Sequence, residues 1–85
     1  MSENMIPVMS PLSGVLYRKS APDQPSFVEE GSQVKKGATL CLLETMKVFT
    51  KVKSPVDGVV AEISIGDEET VGKNQVIMKI KESRS

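Results

Sequence analysis

The 85-residue sequence contains no histidine, no tryptophan and a single cysteine, Cys41. Without histidine it lacks the side chain that most often activates a serine or cysteine nucleophile. With one cysteine it can form neither an internal disulfide nor a Cys/His metal site. These absences argue against an independent enzyme and against a metal centre. Because Cys41 lies within an apolar run, we expect it to be a buried small hydrophobe.

The sequence also lacks a net charge and a long hydrophobic run. Eleven basic residues balance eleven acidic ones, so there is no basic excess to neutralise phosphates. We therefore expect neither nucleic-acid nor membrane binding. The first residues, "MSENMIPV", show no signal peptide and no membrane span. The 39% of hydrophobic residues suffices for a packed core, so we expect one small domain over residues 1–85. We expect this domain to be soluble and cytoplasmic.

Two blocks of the sequence are repeated. "VMSPLSGVL" (8–16) recurs as "VKSPVDGVV" (52–60), an offset of 44 residues. Residues 28–43 align with 63–78 at an offset of 35, which superimposes glycines that share a six-residue spacing. The difference, 44 − 35 = 9, predicts nine extra residues in the first copy, within "YRKSAPDQPS".

Each copy is predicted to form four short strands. Runs rich in valine and isoleucine are bounded by Ser-Pro and glycine-containing turns, and no segment has a lasting helical period. Two such copies packed face to face give an all-β fold: a flattened antiparallel barrel or sandwich of two four-stranded sheets with pseudo-two-fold symmetry. All six glycines, including Gly14 and Gly58, are interpreted as turn residues at which positive φ is expected. The core is predicted to contain Val15, Leu40, Leu42, Val52, Val59, Ile63, Val76 and Ile80.

Lys47 lies where the two copies join, in the segment "ETMKV". It has Met46 before it and Val48 after it, and the turn contains no Gly, Pro, Asn or Asp. Those four residues are the ones that form tight turns at least cost, so turn formation does not account for this segment. The repeat predicts that Lys47 projects from one end of the domain and that both termini lie at the other.

The segment "ETMKV" resembles the biotin-attachment motif, E-A-M-K-M, of the biotinyl/lipoyl attachment family. The two-copy pattern matches this barrel-sandwich hybrid family over about residues 6–82, and "YRKSAPDQPS" falls where carriers of acetyl-CoA carboxylase have a protruding thumb. Thr45 replaces the usual Ala and Val48 the second Met. Lipoyl domains usually have Asp where this sequence has Met46, which favours biotin.

The resemblance implies a set of site residues. Lys47 is the expected site of covalent biotin attachment, within a recognition motif of Glu44, Thr45, Met46 and Val48. The thumb would comprise ten residues, which are Tyr17, Arg18, Lys19, Ser20, Ala21, Pro22, Asp23, Gln24, Pro25 and Ser26.

The resemblance also implies a function. The chain would be a non-catalytic biotin carboxyl carrier, whose biotin swings between a biotin carboxylase and a carboxyltransferase after a biotin protein ligase has attached it. The expected enzyme is an acetyl-CoA carboxylase of fatty acid synthesis. Two alternatives stay open: a lipoyl-type carrier of a 2-oxoacid dehydrogenase or glycine cleavage system, and an unmodified barrel that serves as an interaction module.

Overall fold

The chain forms eight short β-strands in the computed structural model, which describes residues 4–46 and 48–83. Within those residues there is no helix, as predicted. The strands are built mainly from Val, Ile, Leu, Met and Thr, residues that mostly pack well on a pleated, half-buried surface. They are β1 (Met5–Met9), β2 (Gly14–Tyr17), β3 (Gln33–Val34), β4 (Thr39–Thr45), β5 (Val48–Lys53), β6 (Gly58–Ile63), β7 (Glu69–Val71) and β8 (Val76–Glu82).

The strands make two four-stranded sheets. Sheet A has the order β1-β8-β6-β3 and sheet B the order β5-β4-β2-β7, and all neighbouring strands are antiparallel. The predicted all-β fold of two four-stranded antiparallel sheets is confirmed. Each sheet, however, takes two strands from each half of the chain, so the expectation that each copy packs as a sheet of its own was wrong. The cause is the pairing of β4 with β5 and of β1 with β8, which joins the halves edge to edge.

The first repeat is visible in matching turns. The hydroxyl of Ser10 donates a hydrogen bond of 2.5 Å to the Leu12 carbonyl, and that of Ser54 one of 2.7 Å to the Val56 carbonyl. Both serines are buried. Each serine thereby satisfies its hydroxyl within its own turn, which is why a polar side chain is tolerated there. The predicted offset of 44 holds for this block.

The second repeat has a different offset from the one predicted. Gly37 donates its N–H to the Ser54 carbonyl (2.8 Å), and Asn74 donates its N–H to the Ser10 carbonyl (2.7 Å). Since Ser10 and Ser54 are equivalent, Gly37 corresponds to Asn74, an offset of 74 − 37 = 37 rather than 35. The first copy therefore carries 44 − 37 = 7 extra residues, not nine.

The backbone dihedrals explain why the glycines misled the alignment. Gly31 (φ 96°) and Gly37 (φ 90°) adopt the left-handed conformation, and their equivalents at the offset of 37 are Glu68 (φ 62°) and Asn74 (φ 69°). The turns thus require positive φ at these positions but tolerate residues other than glycine. Matching glycine with glycine gave the wrong register.

Gly14 and Gly58 serve a different purpose from the predicted one. Positive φ among the described glycines occurs only at Gly31 and Gly37. Gly14 begins β2 and Gly58 begins β6, and a Cβ atom on either would collide with a backbone carbonyl of the adjacent strand, that of Glu44 or of Lys81 respectively. These glycines are needed for close approach between strands rather than for a turn.

The core lies between the two sheets, and the predicted list was partly wrong. Fourteen apolar residues are buried there: Val8, Leu16, Val28, Val34, Leu40, Cys41, Leu43, Val52, Val60, Ile65, Val71, Ile77, Met78 and Ile80. Three of the eight predicted residues are among them. The other five, which are only half-buried, are Val15, Leu42, Val59, Ile63 and Val76.

An irregularity in β4 accounts for the error at Leu42. The register of β4 against β5 shifts between Thr39 and Cys41, so Leu40 and Cys41 both point inward and the alternation restarts. Leu43 is then buried and Leu42 faces outward. In β2 and β6 several apolar residues follow one another, so alternation does not show which of them face the core. The structure places Leu16 and Val60 on the inner face.

Cys41 is fully buried, as predicted. Burial raises the pKa of its thiol to about 12, against an opposing effect of the nearby Arg18 charge. Such a thiol stays protonated at neutral pH and behaves as an apolar side chain. Within the described part of the chain there is also no helix that could cross a membrane.

Candidate functional site

The hairpin between β4 and β5 has a strained tip. Thr45 pairs with Val48, so only Met46 and Lys47 separate the paired strands. Two-residue hairpin loops favour turns with positive φ at the first loop residue, usually Gly, Asn or Asp. Met46 supplies this conformation, with φ of 52°. Lys47 itself lies outside the described residues, so its assignment as the attachment site stays a prediction.

The residues around Lys47 in the sequence expose large apolar side chains. Met46 is 93% exposed, Val48 60% and Phe49 58%. Three large apolar side chains exposed so close together are unusual, because their exposure does not stabilise the fold. A methionine that is both strained and solvated contributes little to stability. Its side chain is therefore available for contact with another molecule.

The two remaining motif residues belong to β4. Thr45 is half-buried at the end of the strand, beside Gly14. Glu44 is also half-buried and lies directly opposite Phe49 across the hairpin. Sequence reasoning grouped them with Met46 and Val48, and the structure places these four residues together at one end of the hairpin.

Glu44 is held by the residue at which the thumb begins. The Tyr17 hydroxyl donates a hydrogen bond of 2.9 Å to Oε1 of Glu44. The same tyrosine ring contacts the ring of Phe49, with 6.0 Å between centroids and an interplanar angle of 51°. The hydrogen bond with Glu44, followed by burial and by nearby carboxylates, raises the pKa of Tyr17, because each disfavours the phenolate.

The predicted thumb, Tyr17–Ser26, is a short hairpin-like excursion rather than an irregular loop. Lys19 and Ser26 form an isolated antiparallel bridge, and Phe27 donates its N–H to the Arg18 carbonyl (2.8 Å). At the far end, a 3.0 Å hydrogen bond from Gln24 N–H to the Ala21 carbonyl closes a turn.

Arg18 anchors the base of the thumb. Its backbone N–H donates to Oδ1 of Asp67 (2.7 Å). Its Nη2 donates to the Val28 carbonyl (3.1 Å) and forms the ion pair with Glu29 (3.1 Å). These contacts of Arg18 fix the thumb to the rest of the fold, and none of them involves the β4–β5 hairpin.

A groove of about 310 Å³ runs between the thumb and the outer face of sheet B. Its ten lining residues are Tyr17, Lys19, Ser20, Ala21, Pro22, Leu42, Glu44, Phe49, Asp67 and Glu68. The groove thus joins the thumb to the β4–β5 hairpin.

Four of these residues were absent from the predicted site: Leu42, Phe49, Asp67 and Glu68. Phe49 could have been found, because a two-residue loop at positions 46–47 places it opposite Glu44. Leu42 was missed for the same reason that it was wrongly assigned to the core. Among residues 4–46 and 48–83, no three His, Cys, Asp or Glu side chains are grouped so that they could hold a metal ion.

The Biotin_lipoyl family model, described as "Biotin-requiring enzyme", matches residues 6–80. A biotin carboxyl carrier protein of acetyl-CoA carboxylase from Streptococcus pyogenes serotype M6 is 46% identical over 74 residues, covering 87% of this chain and 45% of that protein. One from Cyanidium caldarium is 42% identical over 78 residues, covering 92% and 51% respectively. The chain thus spans about half the length of these curated relatives.

A solved structure of a single-chain, multi-domain long-chain acyl-CoA carboxylase has a region of similar fold. The TM-score is 0.81 at 16% identity, over 100% of this chain and 8% of that one. At this identity the likeness shows the fold alone. The family match over residues 6–80 shows that the chain belongs to the Biotin_lipoyl family, described as "Biotin-requiring enzyme".

Proposed function

We propose that the chain is a non-catalytic biotin carboxyl carrier domain, with biotin attached to Lys47. The observation that carries the proposal is the apolar, strained tip on either side of Lys47 in the sequence, where Met46 is 93% and Val48 60% exposed. Fold stability does not call for these side chains. They would instead be recognised by the enzyme that attaches the cofactor and by the enzymes that use it.

The attachment chemistry needs only the lysine from this chain. A deprotonated ε-amine attacks the activated carboxyl carbon of biotin in the ligase, an amide forms, the activating group departs with its bonding electrons, and the amine proton passes to a base. When attached, biotin supplies a ureido nitrogen that can carry a carboxylate. The chain's own part is to hold the acceptor lysine on a hairpin whose strands are fixed by a rigid sheet.

The groove beside the hairpin fits a small ring system. Its volume of about 310 Å³ lies at the lower end of the range of ligand pockets. The aromatic rings of Tyr17 and Phe49 and the side chain of Leu42 offer apolar surface, while Ser20 and Glu44 offer polar groups at its border. We propose that the thumb shelters the ring here between reactions.

We further propose a place for the carrier in the cell. The named relatives are carriers of acetyl-CoA carboxylase. The proposed partners are accordingly a biotin protein ligase, a biotin carboxylase and a carboxyltransferase in cytoplasmic fatty acid synthesis. A carrier that moves between two active sites gains rate through the effective concentration that tethering provides.

Intact mass after co-expression with a biotin ligase tests the proposal. We expect one biotin adduct, retention on streptavidin, and peptide mapping of the adduct to Lys47. Lys47→Arg should abolish the adduct, whereas the matched change Lys51→Arg on the same hairpin should leave it intact. A lipoyl adduct would favour the lipoyl-type carrier instead. Absence of any adduct would leave the unmodified interaction module.

A further inference from the structure

We propose that Tyr17 is a positioning residue for the attachment hairpin, acting through Glu44. Its hydroxyl holds the Glu44 carboxylate against the outer face of sheet B, so that the ligase meets this carboxylate in one orientation. The inference rests on the proposed function, because it concerns recognition of the same hairpin. It adds a residue outside the attachment motif to the features that the ligase depends on.

The strand register brings the two side chains together. Tyr17 pairs with Leu42, and Val15 pairs with Glu44, so Tyr17 and Glu44 are diagonal neighbours on one face of β2 and β4. Diagonal neighbours lie within reach of a long aromatic side chain. The 2.9 Å hydrogen bond from the Tyr17 hydroxyl to the Glu44 carboxylate shows that the two side chains meet.

Phe49 flanks Glu44 on the other neighbouring strand, β5. It lies opposite Glu44 on β5, and its ring contacts that of Tyr17 at 6.0 Å. Glu44 is therefore bordered by an aromatic residue on each neighbouring strand. A glutamate in the free chain samples many rotamers, and fixing one of them before binding removes an entropic cost from recognition.

The other half of the chain carries different residues in the corresponding strands. Applying the observed offsets of 44 and 37, Ala61 is the equivalent of Tyr17 and Lys81 that of Glu44. Val15 pairs with Glu44 as Val59 pairs with Lys81, but the register of β6 against β8 then shifts between Val60 and Glu62, so the shared frame ends before Ala61. The phenol–carboxylate pair is thus present in the sheet that carries the attachment hairpin, and its equivalent in the other sheet consists of different residues.

The test measures the ligase reaction with the unmodified domain as the substrate. For Tyr17→Phe, which keeps the ring but removes the hydroxyl, we expect the KM for the domain to rise about three- to tenfold, the size of effect of one hydrogen bond. We expect kcat to stay the same, since the acceptor lysine is unchanged. Asn4→Ala is the matched control, because it removes another exposed hydrogen bond, which Asn4 Nδ2 donates to Glu82 Oε1 (3.3 Å), on sheet A rather than sheet B.

A double-mutant cycle separates action through Glu44 from direct contact. In the background of Glu44→Ala, Tyr17→Phe should have no further effect on KM, because the hydroxyl has lost its partner. The same rise in KM in that background would overturn the proposal, and so would an unchanged KM in the single variant. All kinetics are measured below the unfolding transition of every variant, so that a loss of folded protein cannot imitate the result.

Failure of this inference is distinguishable from failure of the proposed function. If the wild-type domain receives no biotin on Lys47, the proposed function is wrong. If the wild type is labelled and Tyr17→Phe is labelled with the same KM, the proposed function stands and only the positioning role is wrong.

Discussion

Replacing Met46 by asparagine should stabilise the protein while impairing its use as a carrier. Met46 has φ of 52° and is 93% exposed. A side chain with a Cβ in the left-handed region costs roughly 1–2 kcal/mol, a cost that asparagine largely avoids through local hydrogen bonding. Since almost no buried area is lost, we expect Met46→Asn to raise the free energy of unfolding by about 0.5–1 kcal/mol.

Met46→Ala is the matched control for this prediction. Alanine keeps the Cβ and therefore the strain, and it removes only solvated atoms, so its unfolding free energy should stay within about 0.5 kcal/mol of wild type. Urea titrations of the three proteins in the same biotinylation state measure the difference. In a domain of this size, 1 kcal/mol corresponds to roughly 4–8 °C in Tm. Equal stability of the Asn and Ala variants would show that the tip stores no strain at Met46.

The functional arm of the same experiment uses fully biotinylated proteins. Both variants lack the methionine side chain, so both should slow carboxyl transfer with a carboxylase partner, to a similar extent. Stability would then rise in Met46→Asn alone, whereas the rate of carboxyl transfer would fall in both variants. Transfer rates equal to wild type would remove Met46 from the functional surface, and a large fall in Tm for Met46→Ala would place its side chain in the core.

Three further predictions concern the fold. Leu43→Ala should lower the free energy of unfolding by about 2–5 kcal/mol, and Leu42→Ala by clearly less, in paired urea titrations; equal losses would contradict the inner face assigned to β4. Gly14→Ala should cost about 1–3 kcal/mol, because its Cβ meets the Glu44 carbonyl; a neutral effect would show that the strands can separate without penalty. Cys41, with its thiol pKa of about 12, should react with a thiol reagent at pH 8 only as fast as the protein unfolds, and rapid labelling of the native protein would contradict its burial.

The sequence predicted those features that depend on residue identity in short segments. The repeat of residues 8–16 in 52–60 is carried by Ser-Pro turns and close-packed glycines, so identity and structure coincide there. The second block was misaligned by two residues because identity and structure diverge. Its turns require positive φ, which Glu68 and Asn74 adopt without being glycine.

A hydrophobic pattern would have given the correct offset. β4 and β8 share one burial pattern over their first five residues. In each strand the first residue is half-buried, the second and third are buried, the fourth is half-buried and the fifth is buried. The sequences "LCLL" (40–43) and "IMKI" (77–80) carry this pattern at the offset of 37. The phase of a bulged strand, in contrast, depends on its pairing partner. Period-two alternation could not show that Leu42 faces outward.

The pseudo-symmetry also separates residues that serve the fold from residues that serve the site. Where the two halves agree, as at Ser10 and Ser54 or Gly14 and Gly58, the shared residues satisfy buried groups or allow strands to approach.

One group of differences between the halves lies on the outer face of sheet B. The seven extra residues of the thumb cover that face, and Tyr17 and Leu42 stand on it where the equivalent positions of sheet A carry Ala61 and Lys79. The two frames differ at this point, because β6 is bulged against β8 between Val60 and Glu62, whereas β2 pairs regularly with β4. The groove brings the thumb and the Glu44–Tyr17 pair to the β4–β5 hairpin, which belongs to sheet B, and we propose that they serve the attachment and use of biotin there.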